Sequence, residues 1–227
     1  MSDTAISYFL DIKIDEACLT KCKGKTLKQI LSSVNMILSQ KAGDQKGGKP
    51  ASVCKTIHKF KVTGEPRIVT VVNISGGEAM LEKLLSDLVN IGITCVTCTP
   101  LIPYEVFVQT VLGVDPDLCK PSPHKLTKKY ISWNELTIGY QGMTSEEFKK
   151  LWMKEASTVL GLRRDNDVNV DIFKIKNCGK VMVFLSVDNP DDTDGMFDGL
   201  PLFVHNGHNV SNVSRSVQPL DGYCKMS

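Results

Sequence analysis

Two consecutive β-α-β-β-α-β units, an α+β fold, follow from three features of the 227-residue sequence. Hydrophobic spacing alternates between strand and helix periods in the same order twice. A strand pair in each half aligns without a gap: Lys61 and Lys174 are 113 positions apart, and at that spacing Phe60 meets Phe173, Arg67 meets Lys180 and Ile74 meets Val187. A six-residue motif, TPLIPY at Thr99–Tyr104, returns 101 positions later as LPLFVH at Leu200–His205. The drop from 113 to 101 calls for a shorter second helix in the second half. Each half has the ferredoxin-like order, the first over 1–122 and the second over 123–227, and the two are expected to pack as an intramolecular dimeric α/β barrel.

In chain order, Ser7 to Ile14 alternates as a half-buried strand, and a lysine-rich turn runs on through Gly24. Leu27, Ile30, Leu31, Val34, Ile37 and Leu38 recur at helical spacing behind Thr26, which caps them. The polar, glycine-rich run Lys41–Pro50 ends that helix as a flexible loop. Ser52–Val62 and Arg67–Ile74 form a hairpin turned at Thr63–Pro66. Met80, Leu81, Leu84, Leu85, Leu88 and Val89 make the second helix, stopped near Gly92, and a β-rich run from Ile93 to Leu112 closes the half. The basic, proline-containing stretch Lys120–Lys129 reads as a solvated linker.

The second half starts with a strand at Ile131–Ile138. A helix carrying Phe148, Leu151, Trp152 and Val159 follows, opened by the capping box Thr144 and Glu147. A hairpin, Asn169–Lys176 and Lys180–Val187, turns at Asn177–Gly179. DNPDDTDG, Asp188–Gly195, leaves room for a short helix around Met196 and Phe197, and both copies of the six-residue motif are expected to open the last strand of their half.

Composition narrows the function. Charged residues make up 23% with a net charge of +2 and no basic stripe, so nucleic acid is not an expected partner. No basic-then-apolar leader and no apolar run of about 20 residues occur, which points to a cytoplasmic chain without a membrane partner. The eight cysteines are then reduced thiols. Cys95 and Cys98 lie in a β-favouring run, where positions three apart face opposite sides, so neither a zinc knuckle nor a redox pair is expected. Nucleotide-binding glycine patterns are missing, and DNPDDTD lacks the ligand order of a calcium loop.

The second half, from VFLSV (Val183–Val187) through a short helix into LPLF (Leu200–Phe203), resembles the C-terminal part of the muconolactone isomerase family, which carries a similar LPLFPY motif. TPLIPY keeps the Pro and Tyr that the second half replaces with Val204 and His205. The chain looks like a tandem fusion of two such units. The resemblance implies a shift of a double bond in a lactone ring without metal or organic cofactor, by a protein that assembles into oligomers. The family's catalytic residues match no particular positions here, so the resemblance carries over no catalytic role.

Candidate chemistry comes from strand alternation. His58, Phe60 and Val62 share one face, and Asp171, Phe173 and Ile175 share its counterpart, so His58 and Asp171 hold matching positions on the more apolar face. A double-bond shift needs a base and an acid, which suits an imidazole or a desolvated carboxylate. The plain alternative is a solvent-side pair or a satisfied core histidine. Tyr104 and Glu105 in one motif correspond to His205 and Asn206 in the other, and phenol, carboxylate and imidazole can hold a carbonyl oxygen, with Phe60 and Phe173 as apolar walls. Packing alone is their plain alternative. The expected function is cofactor-independent isomerisation or cyclisation of a small apolar carbonyl or lactone compound, with no metal. The rivals are a non-catalytic carrier of such a ligand, a cofactor-independent monooxygenase and an oligomer-forming module.

Overall fold

The computed structural model describes residues 5–22, 24–40 and 53–225, so the expected loop at Lys41–Pro50 lies outside the described residues. The chain divides into two compact units, 1–101 with 218–227, and 102–217.

In the first unit, β1 (Ile6–Lys13) lies between β4 (Cys95–Pro103) and β3 (Arg67–Ser75), and β3 pairs onward with β2 (Val53–Val62), all antiparallel. A short helix absent from the sequence expectation, α1 (Glu16–Lys21), occupies the lysine-rich turn, because the Asp15 carboxylate accepts the Cys18 N–H and caps it. α2 (Leu27–Ser39) starts at the expected cap, where Thr26 and Gln29 form a full capping box. With α3 (Glu78–Asn90) it covers one sheet face, burying Ile30, Leu31, Val34, Leu81, Leu84 and Leu88 against Leu10, Ile12, Ile68 and Val72.

The strand expected over Ile93–Leu112 ends at Pro103, whose fixed φ and missing N–H stop the ladder, and the chain turns helical in α4 (Tyr104–Phe107) and a π-helical turn, Val108–Leu112. In the second unit, β5 (Tyr130–Ile138) lies between β8 (Val210–Pro219) and β7 (Lys180–Val187), and β7 pairs with β6 (Asn169–Ile175), again antiparallel. α5 (Ser145–Arg164) starts at the expected capping box, Thr144 with Glu147. α6 (Asp192–Asp198) is the expected short helix. LPLFVH, however, is α7 (Pro201–Asn206) rather than the start of a strand: Leu200 is its N-cap and Pro201 its first residue, where a missing N–H loses nothing.

The repeat of structure survives this correction, on different residues. Lys61 Nζ donates to Val62 O at 2.6 Å and to Glu65 O, while Lys174 Nζ donates to Ile175 O at 2.7 Å and to Cys178 O. All three pairs are 113 positions apart. The true counterpart of Pro103–Phe107 is Pro219–Tyr223, 116 positions on, at the start of α8 (Leu220–Lys225) in the first unit. Lys61 lies 5.5 Å from the Tyr223 ring and Lys174 5.5 Å from the Phe107 ring. Tyr104 and Leu220, also 116 apart, are each buried in the core of their unit. Both units are thus ferredoxin-like, with helices on one face and a second face turned away from them.

Candidate functional site

The helices of the second unit pack on Val170, Ile172, Val181, Val183 and Leu185. Alternation therefore puts Asp171 and Phe173 on the opposite face, where the register sets Asp171 beside Phe184 and Phe173 beside Met182. Asp171 is 1% exposed, and its Oδ2 lies 2.6 Å from His124 Nδ1. The His124 ring stacks on Phe173, with centroids 6.1 Å apart and planes at 7°, and Phe173 meets Phe184 edge-on. The imidazole is 30% exposed, so one end is held by a buried carboxylate while the ring reaches the surface.

His124 stands on the stretch expected to be a solvated linker. That stretch is instead a strap pinned along the unit. Arg163 donates to Lys120 O at 3.1 Å, the Thr127 N–H to Asn169 Oδ1 at 3.0 Å, and the Lys128 N–H to Ser186 Oγ at 3.4 Å. His124 itself sits at φ 52°, a left-handed conformation braced by its N–H donating to Ser122 Oγ. A carboxylate that accepts Nδ1–H fixes the imidazole tautomer in which Nε2 is the basic nitrogen. An imidazole held in this way is a group that can take up and return a proton at its other nitrogen.

On the first unit's sheet, His58 holds the position that Asp171 holds on the second: it pairs with Val71 as Asp171 pairs with Phe184, each 113 apart. His58 is buried and stacks on Phe60 at 5.4 Å, and its carbonyl accepts the Thr70 hydroxyl at 2.6 Å. Phe60 and Phe173 occupy equivalent buried positions as expected.

The residues of the two motifs separate. Tyr104 is buried at the start of α4, and its hydroxyl accepts the Trp152 indole N–H at 3.1 Å; burial raises its phenol above the ordinary range. Glu105 is locked to Arg163 at 2.5 Å, with side chains 6% and 10% exposed. His205, at the end of α7, is exposed. Asn206 is fully buried and structural: its amide donates to Gly139 O, and its Oδ1 accepts from Asn209.

A second feature lies on the helix side of the same sheet. An apolar cavity of about 70 Å³ is lined by Tyr104, Trp152, Ile172, Val183, Phe203 and neighbouring aliphatic side chains, together with one carboxyl, Glu155. Glu155 lies on α5 one turn after Trp152, and its Oε2 accepts the Leu202 N–H, one of the first-turn donors of α7, at 2.9 Å. Burial pushes this carboxyl up to about 7. The volume is about half that of an engineered cavity that holds benzene, too little for a substituted lactone ring.

His124 and Glu155 are the residues that reading the sequence missed. The available signals were a histidine after a proline inside a basic stretch, and a charged residue in step with the buried stripe of Trp152, Ala156 and Leu160. Among the described residues the cysteines are free thiols, and burial raises Cys98 to about 11. No described helix is long and apolar enough to cross a membrane.

No family profile and no curated protein matches the chain. Solved structures do. A mutant chlorite dismutase from Candidatus Nitrospira defluvii aligns with TM-score 0.57 at 10% identity, over 99% of this chain and 96% of its own. A candidate monooxygenase from Fusobacterium nucleatum aligns at 0.54 with 8% identity over 97% and 94%, and one from Lactobacillus acidophilus at 0.52 with 9% over 96% and 94%. At such identities the likeness shows the fold, and it runs through both units.

Proposed function

We propose that this protein catalyses cofactor-independent proton transfer on a small, largely apolar carbonyl or lactone compound, with His124 as the base and Asp171 as the carboxylate that orients it. The carrying observation is the 2.6 Å contact between His124 Nδ1 and a nearly inaccessible Asp171. With Nδ1–H held by Asp171, Nε2 takes a proton from carbon beside a carbonyl, and the electron pair of that C–H bond passes into an enolate. In a substrate whose enolate is conjugated with a C=C bond, delivery of a proton from Nε2 to the far carbon shifts the double bond, with no oxidant or reductant required, and exchange of the Nε2 proton with solvent at the 30% exposed ring carries deuterium into the product. Phe173, itself buried, stacks on the imidazole and holds the plane of the ring. A positioned base of this kind contributes typically 10²–10⁴-fold.

The resemblance to muconolactone isomerases supports the isomerase reading. The two candidate monooxygenases among the solved structures favour a second one, in which the same base deprotonates the substrate and dioxygen is the co-reactant. Incubation with lactones and β-dicarbonyl compounds in D₂O under an oxygen electrode separates them. Deuterium incorporation without oxygen uptake marks the isomerase, and stoichiometric uptake marks the monooxygenase. His124→Ala and Asp171→Asn are each expected to lower the rate by roughly 10²–10⁴-fold; retention of full rate by both variants sinks the proposal. His58→Ala is the parallel test of the matching position in the first unit.

A further inference from the structure

We propose that the cavity under α6 and α7 is a second binding site, distinct from the His124 face, for a neutral short-chain alcohol or carbonyl compound of about three or four heavy atoms. The walls come from the helix-facing side chains of β5, β6 and β7 and from Phe197 and Phe203. The size limit follows from the volume of about 70 Å³ against the roughly 150 Å³ that accommodates a six-carbon ring.

The chemistry of the occupant follows from the lining. Ordered water needs two to four polar partners, and an apolar cavity tends to stay dry. Here the polar groups are few: the Glu155 carboxyl, committed through one oxygen to the Leu202 N–H, and the Tyr104 hydroxyl, which accepts the Trp152 N–H. A molecule with one oxygen and a short hydrocarbon chain meets both kinds of surface. Below about pH 7, where burial keeps Glu155 protonated, a carboxylate or an ammonium ligand alike brings an unpaired charge into apolar walls, which a neutral ligand does not.

The test is a titration followed through the methyl resonances of Met196, Ile172 and Val181, all lining residues. 1-Propanol is expected to shift these signals saturably with a millimolar dissociation constant, within what four heavy atoms can supply. Propionate and propylammonium at pH 6, where Glu155 is protonated, are expected to bind at least tenfold more weakly. Val159→Phe, which fills the cavity from α5, abolishes the effect; Leu162→Phe serves if that variant does not fold. Glu155→Gln keeps the affinity within about threefold, whereas Glu155→Leu loses about tenfold, the worth of one hydrogen bond. Non-saturable shifts, equal shifts in the filled variants, or tighter binding of propylammonium would overturn the proposal. None of these readouts depends on the rate at His124, so failure here leaves the catalytic reading standing.

Discussion

Over the first sheet lie two thirteen-residue helices, α2 and α3; over the second lie α5, twenty residues long, and the short α6 and α7. Underneath, the two hairpins correspond residue by residue from the turn as far as the pairs His58 with Val71 and Asp171 with Phe184, beyond which a bulge between Thr56 and His58 shifts the first hairpin, and a lysine binds the same two turn carbonyls in each. α3 seats Leu81, Leu84 and Leu88 on its sheet. In its place the second unit has two short helices, an apolar cavity and a carboxyl that tethers α7. The two units therefore differ most in the helix layer and least around the hairpin turns, where side chains are committed on both faces.

The largest expected effect tests the acids one step into α4 and α8. Glu105 pairs with Arg163 in near-complete burial, whereas its counterpart Asp221 pairs with Lys59 at 2.8 Å with its side chain 54% exposed. Removing one partner of a buried pair strands the other, so Glu105→Ala should cost about 3–5 kcal/mol in urea unfolding. Asp221→Ala should cost no more than about 1 kcal/mol. Equal costs would mean that burial does not separate the two.

Next comes Glu155. Because burial raises its carboxyl to about 7, the folded protein holds a proton that the unfolded chain has already released. The associated stability is fully present below about pH 4.3 and is lost as pH rises through about 7, roughly 3 kcal/mol across that window. Glu155→Gln keeps an acceptor for the Leu202 N–H but cannot titrate. Wild type should lose stability against this variant between pH 5 and pH 8, and parallel pH profiles would contradict the assignment.

The smallest effect sharpens the likeness. Lys61 and Lys174 are both buried, and desolvation lowers both ammonium groups from the ordinary lysine range. Lys61→Met and Lys174→Met each leave two turn carbonyls without their donor, so each should destabilise by about 1–3 kcal/mol, and by similar amounts. A large difference would show that the surroundings, rather than the clamp, set the energy.

What was legible in the sequence is what repeats over short range. Strand alternation and the ungapped hairpin match located β2, β3, β6 and β7, and the capping residues Thr26 and Thr144 marked two helix starts. LPLFVH misled because proline after leucine suits a strand entrance and a helix N-terminus equally, and only the surrounding packing chooses. Asp171 was legible as a carboxylate on an apolar face, but its partner was not: His124 is 47 positions away along an irregular strap. Glu155 is likewise explained only by the Leu202 N–H, 47 positions downstream.

Residues 218–227 belong to the first unit, and Leu220 is fully enclosed in its core. Synthesis thus delivers the continuous second unit, 102–217, before the first unit has all its parts, reversing the usual order in which N-terminal domains finish folding first. During that interval the core around Ile30, Leu31 and Leu38 lacks a side chain, Leu220, that is encoded more than a hundred codons later.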